Sequence, residues 1–370
     1  MAVATEPEVT AVDAADPVGE LSGRLFMEGV GALHLLTVYL GVRLGLYRAL
    51  ADEGALTSVK LASRTGLDER YVREWLQAET IAGLVSADAD DMSAATFRLA
   101  PGVETVLVDE TSPAYLGGLG EAAAAVGGAV HAVRDAFRTG AGVPLSAYPP
   151  EAVSAQSSLN RPAYVNALVA EWLPAIPDVN ARLRDTSRPA RIADVGCGSG
   201  WAAIELARAF PHVRVDGYDG DEASIENARQ NAQERSLTDR VTFEVADAMT
   251  TAFGGQTYDV ITFFECLHDM ARPADALRRA RAALAPGGQI IVMDERAGEQ
   301  PLIGDPTETF FATASVLWCL PQSRADADCD TPGTLLRPDA LRGIAQRAGF
   351  KGVEVLPIDH PFWRFYRIVP

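Results

Sequence analysis

The sequence predicts an α/β protein whose larger part is a doubly wound, mostly parallel β-sheet, preceded by a smaller, mainly α-helical domain. Three observations lead to this prediction. Strand-like and helix-like segments alternate from about residue 190 onwards. One of these strands runs directly into a glycine-rich turn and a helix, and the N-terminal third shows a helix, a turn, a second helix and a hairpin. Such alternation is typical of a sheet whose ligand crevice lies at the carboxyl ends of its strands.

Composition limits the partners of this chain. Its 370 residues are enough for two domains, and its net charge is −18. Unassisted binding to nucleic-acid backbones or to anionic membranes depends on cationic side chains, so neither partner is expected. The first residues lack the basic start of a signal peptide, and the four cysteines show no paired spacing. We expect a cytoplasmic protein with reduced thiols.

The first 50 residues are predicted to form a disordered tail followed by one or two helices. Residues 1–18 have no usable apolar period and are predicted to be disordered. Apolar residues recur at helical spacing over 21–50, which predicts one or two helices that are more buried than solvent-facing. The apolar stretch 29–46 is interrupted by His34 and Arg43, so we do not expect it to span a membrane.

The segment that follows predicts a winged-helix domain over residues 19–111. Helices are expected over 57–65 and 69–82, the second capped by Asp68, with a hairpin over 84–99. A winged helix that reads DNA needs a basic second helix. Between residues 52 and 91 there are nine acidic and four basic side chains, so DNA binding is not expected.

Residues 112–180 are predicted to form helices that link this domain to the sheet domain over 181–370 and that line the acceptor pocket. In the sheet domain, five strands are predicted near 191–195, 213–218, 241–246, 258–264 and 289–294, and the crossover helices near 201–210, 222–234 and 273–285. A helix over 338–348 and two further strands follow, so that seven strands are predicted in total.

The turn after the first strand of the sheet domain indicates a nucleotide-type ligand. Gly196, Gly198 and Gly200 allow the backbone to approach a ligand closely. Asp219 ends the next strand, 23 residues after Gly196, where an acid can bind ribose hydroxyls.

Two further residues narrow the choice of ligand. A dinucleotide-binding turn needs its third glycine where this chain has Trp201. Asp194 places negative charge near the turn, which would repel phosphate and attract a cation. The turn therefore favours a phosphate-free, positively charged nucleoside such as S-adenosylmethionine.

In five motifs, residues from about 160 to 370 resemble the class I S-adenosylmethionine-dependent methyltransferases. The motifs are Asp194–Gly200, Val215–Asp219, Phe243–Ala248, Tyr258–Asp269 and Leu284–Val292. This resemblance implies a Rossmann-like sheet with an antiparallel last strand and S-adenosylmethionine as cofactor. The N-terminal plan is similar to the winged helix that pairs two subunits in many O-methyltransferases, which implies a homodimer.

The resemblance also implies which residues bind the cofactor. Asp219 would bind the ribose, Asp247 the adenine amino group, and the glycine turn the methionine part. Trp201 could cover the methionine tail or pack against the sheet. The implied set is Asp194, Gly196, Cys197, Gly198, Gly200, Trp201, Asp219, Gly220, Asp247, Ala248, Phe264 and Glu265.

The candidates for chemistry are Glu265, His268 and Asp269, which follow the fourth strand of the sheet domain. His268-Asp269 resembles the pair of phenolic O-methyltransferases in which the histidine is the general base, and an imidazole can accept a proton near neutral pH. In those enzymes two acids flank the histidine. Asp294 stands close to the first position, but the second is Leu336. A structural or acceptor-orienting His268 therefore remains open, as does a Glu265 that holds a cofactor group or stabilises charge on the acceptor.

We therefore predict methyl transfer to a small apolar or aromatic metabolite, at oxygen with His268 as base. Transfer to carbon or nitrogen, using Glu265 or positioning alone, is the alternative. No ligand spacing indicates a metal. The apolar segment 308–320 could line the acceptor pocket or pack at a dimer interface. A non-catalytic regulator that binds S-adenosylmethionine and DNA would need a basic helix that 69–82 does not provide.

Overall fold

A computed structural model describes residues 16–251, 253, 255–326 and 328–370. Most of the tail predicted over residues 1–18 lies outside these residues. Within them, Asp16 caps the first helix by accepting a hydrogen bond from the backbone N–H of Val18 at 3.2 Å. This helix therefore begins slightly earlier than the end of the predicted tail.

The N-terminal region has the predicted winged-helix architecture. Thr57 and Asp68 cap the two helices of the helix-turn-helix, because each side chain accepts a backbone N–H. The three strands form an antiparallel sheet in the order β1-β3-β2. The elements are α1 (Pro17–Arg43), α2 (Leu46–Glu53), β1 (Leu56–Thr57), α3 (Ser58–Thr65), α4 (Glu69–Ile81), β2 (Val85–Ala87), β3 (Thr96–Leu99) and α5 (Val103–Leu107).

Helix α1 contradicts the prediction that its segment is more buried than exposed. Only Val38 and Gly41 are buried, whereas Leu25, Phe26 and Leu33 are 55%, 71% and 71% exposed. The C-terminal half of α1 packs on α4 and on a later helix, but the rest of its apolar face is uncovered in a single chain. Apolar periodicity detects such a face without showing what covers it.

The expectation that this segment does not span a membrane stays a prediction. Helix α1 has 27 residues, and its most apolar window has a mean hydropathy of 1.6, so its length and composition would allow it to cross a bilayer. The observation is weak evidence, because a helix that packs against protein passes the same test.

Helices connect the two sheets, as predicted. They are α6 (Gly118–Thr139), α7 (Glu151–Ala163) and α8 (Pro177–Arg184), and α7 continues as a π-helical segment over Tyr164–Trp172. Helix α6 packs against both α1 and α7. At Gly120 of α6, a Cβ would lie 2.9 Å from the backbone nitrogen of Tyr39 in α1. The backbones of α6 and α1 are therefore in direct contact at this point.

The second sheet has seven strands in the order β6-β5-β4-β7-β8-β10-β9, which confirms the predicted fold class. All neighbouring strands are parallel except β10, which is antiparallel to β8 and β9, as the resemblance implied. The strands are β4 (Arg191–Val195), β5 (Arg214–Asp219), β6 (Val241–Val245), β7 (Tyr258–Phe264), β8 (Leu284–Glu295), β9 (Gly352–Val355) and β10 (Trp363–Val369). The covering helices are α9 (Trp201–Ala209), α10 (Glu222–Glu234), α11 (Pro273–Ala282) and α14 (Pro338–Arg347).

Strand order reverses between β4 and β7, so the chain turns away from both strands and leaves a crevice at their carboxyl ends. An insertion after β8 crosses towards this crevice. It contains α12 (Pro306–Ala314), a π-helical segment over Ser315–Cys319 and α13 (Leu320–Ser323). Trp318 and Cys319 pack into a cluster with α6 and α7, which holds the insertion over the sheet.

Candidate active site

A cavity of about 470 Å³ lies at the carboxyl ends of β4, β5 and β7, beneath α7 and the residues that follow α13. This volume is in the range of small-molecule sites. The predicted site residues that line it are Gly196, Cys197, Gly198, Trp201, Asp219, Gly220, Asp247, Ala248, Phe264, Glu265 and Asp269. Three other predicted site residues, Asp194, Gly200 and His268, are outside its lining.

The glycine turn is shaped by packing as well as by its ligand. Gly196 has a φ of +69°, and a Cβ there would lie 2.5 Å from the Cβ of Cys266. Gly200 has a φ of +79°, and its Cβ would lie 2.5 Å from the ring of Phe243. Glycine is therefore required at both positions for two reasons: the left-handed backbone conformation and the lack of space for a Cβ. Gly200 lies outside the cavity lining, and its contact with the ligand stays a prediction.

Asp219 ends β5 at the wall of the cavity and holds the glycine turn in place. Its Oδ2 accepts the backbone N–H of Gly198 at 2.8 Å, and its Oδ1 accepts that of Asp221 at 2.9 Å. Burial raises the pKa of Asp219 above its ordinary value, although both hydrogen bonds oppose this shift. Asp247 lines the neighbouring wall, where its carboxylate accepts the backbone N–H of Met249.

Asp194 lies beneath the turn and does not make the predicted contact with the cavity. Its Oδ1 accepts the hydroxyl of Thr262, its partner residue on β7, at 2.8 Å. Its Oδ2 is buried and accepts no hydrogen bond from any residue that the structure describes. Burial raises the pKa of Asp194 to about 6. Asp194 therefore joins β4 to β7 through its side chain, and its contact with the ligand stays a prediction.

Trp201 packs at the cavity wall in a stack with two cations. The guanidinium carbons of Arg161 and Arg235 lie 4.1 and 4.4 Å from the ring. The indole Nε1 donates to the hydroxyl of Ser157 at 2.9 Å. The ring therefore already has two cationic partners and one hydrogen-bond acceptor from the protein, which favours the packing alternative.

Glu265 reaches the cavity from a left-handed backbone conformation. Its φ is +55°, which costs a non-glycine residue about 1–2 kcal/mol. The backbone N–H donates to the carbonyl of Met293 at 2.8 Å. Oε2 accepts the side-chain amide of Asn160 at 3.0 Å, and Oε1 accepts the indole N–H of Trp363. Strain that is retained with this many partners is typical of functional sites.

The environment of Glu265 also shifts its pKa. Burial raises the pKa of this carboxyl to about 7, while the positive charge of His268 and the two hydrogen bonds partly lower it. A carboxyl with this pKa can accept a proton at neutral pH and can also release it. The group is therefore suited to acid–base chemistry.

His268 is buried behind the cavity wall, with its side chain 3% exposed. Its Nδ1 lies 2.9 Å from Oδ1 of Asp294 and 3.1 Å from Oε2 of Glu295, and its Nε2 lies 3.3 Å from Oδ1 of Asp269. Burial lowers the pKa of His268, but the three carboxylates outweigh this effect and raise it well above its ordinary value. Nδ1 forms a hydrogen bond with Asp294, whereas Oδ1 of Asp269 and Oε2 of Glu295 lie near the ring without forming a hydrogen bond within the described part of the chain. Burial raises the pKa of Glu295 well above its ordinary value, and the charge of His268 opposes this shift. Its role as general base stays a prediction, and this geometry does not favour it.

Several residues at the site were not predicted from the sequence. Leu336, which stands where the second flanking acid was expected, is buried in the apolar core, and Glu295 takes that place beside His268. The adjacent acids that end β8 were the available signal. Asn160 and Tyr164, both lining the cavity from α7 and its π-helical extension, gave no signal.

Two groups of side chains have the composition of metal ligands. One contains His268, Asp269 and Cys319, and the other His268, Asp294 and Glu295, with their ligand atoms within 4.8 Å of one another. Both groups use the same histidine, which would have to lose a proton from its ring before it could bind a metal. The absence of a metal remains a prediction.

The charge of the cavity fits a cationic nucleoside without phosphate. Its lining contains the acidic residues Asp219, Asp221, Asp247, Glu265, Asp269 and Asp326. Asp326 forms an ion pair with Arg272, at 2.6 Å. Among the described residues that line the cavity there is no Lys, Arg or His. A phosphate would find no cationic partner here, whereas a sulfonium and an ammonium group would be stabilised.

Comparison with known proteins agrees with this arrangement. Residues 187–331 match a family described as a methyltransferase domain, and residues 31–107 match the Rv2258c-like winged HTH domain. The 27-O-demethylrifamycin SV methyltransferase of Amycolatopsis mediterranei is 38% identical over 104 residues, which are 28% of this chain and 38% of that protein. The first curated relatives are matched over about two fifths of their own length.

Solved structures are similar over nearly the whole chain. The mitomycin 7-O-methyltransferase MmcR has a TM-score of 0.65 and 20% identity, with 95% of this chain and 98% of that chain covered. Human N-acetylserotonin methyltransferase in complex with S-adenosylmethionine has a TM-score of 0.65 and 17% identity, with 97% and 99% covered. At these identities the similarity establishes the fold.

Proposed function

Because this chain contains a methyltransferase domain behind a winged HTH domain, we propose that it is an enzyme that methylates a hydroxyl group of a small molecule. S-adenosylmethionine is its cofactor. When bound, this cofactor supplies a methyl group on a sulfonium and leaves as S-adenosylhomocysteine. The observation that carries the proposal is that one cavity joins the glycine turn and Asp219 to Glu265.

The residues that would hold the cofactor lie at one end of the cavity. Asp219 is placed to bind the ribose hydroxyls, and Asp247 and Ala248 to contact the adenine. The glycine turn and Cys197 would contact the methionine part. Each of these residues lines the cavity, so their proposed roles need no movement of the sheet.

The rest of the cavity lining is suited to an uncharged or cationic acceptor. Leu145, Val153, Tyr164, Phe264 and Met270 provide apolar surface for a small, largely aromatic molecule. The carboxylates of the lining would repel an acceptor with a carboxylate or phosphate. Carbon or nitrogen is the second candidate acceptor atom, because Glu265 lines the cavity and could take a proton from any of the three.

The proposal is tested by measuring S-adenosylhomocysteine after the chain is incubated with S-adenosylmethionine and a panel of phenols and catechols. We expect acceptor-dependent release that is unaffected by a chelator and lost in Asp219→Ala. Product formed only on carbon or nitrogen would support the second candidate. Release at the acceptor-free rate with every small molecule, together with binding of DNA at low salt in a mobility-shift assay, would instead support a regulator.

The winged-helix domain is proposed to pair two copies of the chain through α1. The uncovered apolar face of this helix is larger than isolated surface residues would give, and such patches mark interaction sites. Glu79 on α4 faces inward, where it accepts hydrogen bonds from Thr37 of α1 and from Tyr47. The inner face of α4 therefore anchors α1.

A further inference from the structure

The backbone of the loop that carries His268 is held by two hydrogen bonds. The carbonyl oxygen of His268 accepts the hydroxyl of Thr331 at 2.6 Å, and the carbonyl oxygen of Asp269 accepts the hydroxyl of Ser323 at 2.9 Å. Both donors belong to the insertion after β8. Asp269 lines the cavity, whereas His268 points away from it towards β8.

Every element packed against the imidazole presents it with an acceptor or an acid. Asp269 approaches from its own turn, Asp294 and Glu295 from the end of β8, and the thiol of Cys319 from the insertion. The carboxyl group of Glu265, at the end of β7, also interacts with its charge. No cation other than His268 is present in this group of described side chains. A neutral ring would leave buried carboxylates without compensation, which is costly.

We propose that His268 is a permanently charged positioning residue that does not contact the acceptor, and that Glu265 is the catalytic residue that takes the acceptor's proton. The ring holds Asp294, Glu295 and Asp269 around one positive charge and so fixes the wall on which Glu265 stands. The part of this proposal that concerns Glu265 rests on the proposed function, whereas the charge of His268 does not.

Other groups at the cavity are less suited to accept a proton. Burial raises the pKa of Tyr164 and of the thiols of Cys197 and Cys266 well above their ordinary values, so these groups stay protonated. Asp269 shares its carboxylate with the imidazolium. Glu265 has one oxygen on Asn160 and the other on Trp363, and it can take the hydroxyl proton as the new carbon–oxygen bond forms, then pass it to solvent.

The charge of His268 can be measured in the whole chain without cofactor or acceptor. Isotope-labelled histidine gives imidazole nitrogen signals for the five histidines, and His268→Gln identifies the signals of His268. From about pH 6 to pH 9, where an ordinary histidine loses its proton, we expect both of its nitrogens to stay protonated. A neutral tautomer anywhere in this range would overturn the proposal.

A second measurement follows the carboxyl group of Glu265. The indole of Trp363 donates to this group, so tryptophan fluorescence should change as Glu265 titrates near pH 7. The transition should be absent in Glu265→Gln, move to higher pH in His268→Gln and return towards the wild-type position in His268→Lys. A merely structural His268 would leave the transition unmoved, and that result would contradict the proposal. Neither measurement depends on methyl transfer, so the failure of this inference and that of the proposed function are distinguishable.

Discussion

At the scale of single residues, Glu265 combines a strained backbone, two side-chain hydrogen bonds and a position on the cavity wall. Sequence reasoning identified this residue as one candidate among three, because it follows a strand at the crevice edge. It could not rank the three, since the partners of Glu265 are Asn160 and Trp363, which lie 105 and 98 residues away. Ranking the candidates required the geometry.

Replacing Glu265 with Gln keeps its size and removes its ability to accept a proton. We expect kcat to fall by about two to four orders of magnitude, the usual contribution of a general base. In the wild type, kcat should rise with pH through about 7, because the carboxyl must lose its proton before it can act. Initial rates measured against pH check both statements. A rise that persists in Glu265→Gln would assign the base to another group.

Gly196 offers a prediction about stability. In Gly196→Ala the new Cβ meets Cys266 at 2.5 Å in a left-handed backbone conformation, so the free energy of unfolding should fall by about 2–4 kcal/mol. Gly304→Ala is the matched control, because its φ is +84° and its Cβ would meet nothing within 4 Å. The control should lose only about 1–2 kcal/mol in denaturant unfolding. Equal losses in the two variants would contradict the packing argument.

At the scale of helices and strands, local patterns predicted most of the fold. The strands of the parallel sheet are short apolar runs that end in turn residues. N-capping residues such as Asp68 and Asp221 mark where the next helix begins. The predicted strands and crossover helices therefore lie within a few residues of those observed. What local pattern cannot show is which faces are covered, and α1 was misjudged for that reason.

The uncovered face of α1 gives a prediction about assembly. Phe26→Glu together with Leu33→Glu should convert a dimer into a monomer, because each introduces a charge into the proposed interface. Ile303→Glu is the control, since this fully exposed apolar residue lies on the insertion. Sedimentation or light scattering measures the mass. A wild-type monomer, or flotation of the chain with lipid vesicles that depends on Phe26, would contradict dimerisation through α1.

At the scale of the whole molecule, the sheet, α7 and the insertion enclose one acidic cavity. Catechol, dopamine and protocatechuate share a reactive ring and differ in charge, so they test what this charge selects. We expect protocatechuate, the anion, to be methylated with a kcat/KM about tenfold or more below that of dopamine, the cation, which corresponds to about 1.4 kcal/mol. Competition between the three in one reaction measures this ratio. A preference for the anion would show that the charge of the cavity does not select the acceptor.

The central claim is that the glycine turn and Asp219 hold S-adenosylmethionine in this cavity. Calorimetry of S-adenosylmethionine binding to the wild type and to Asp219→Ala tests it most directly, with Asp239→Ala, a largely exposed surface acid, as the control. Loss of hydrogen bonds to a charged group costs about 1.5–3 kcal/mol each, so affinity should fall at least about tenfold in Asp219→Ala and stay unchanged in the control. Undiminished affinity in Asp219→Ala would contradict the account.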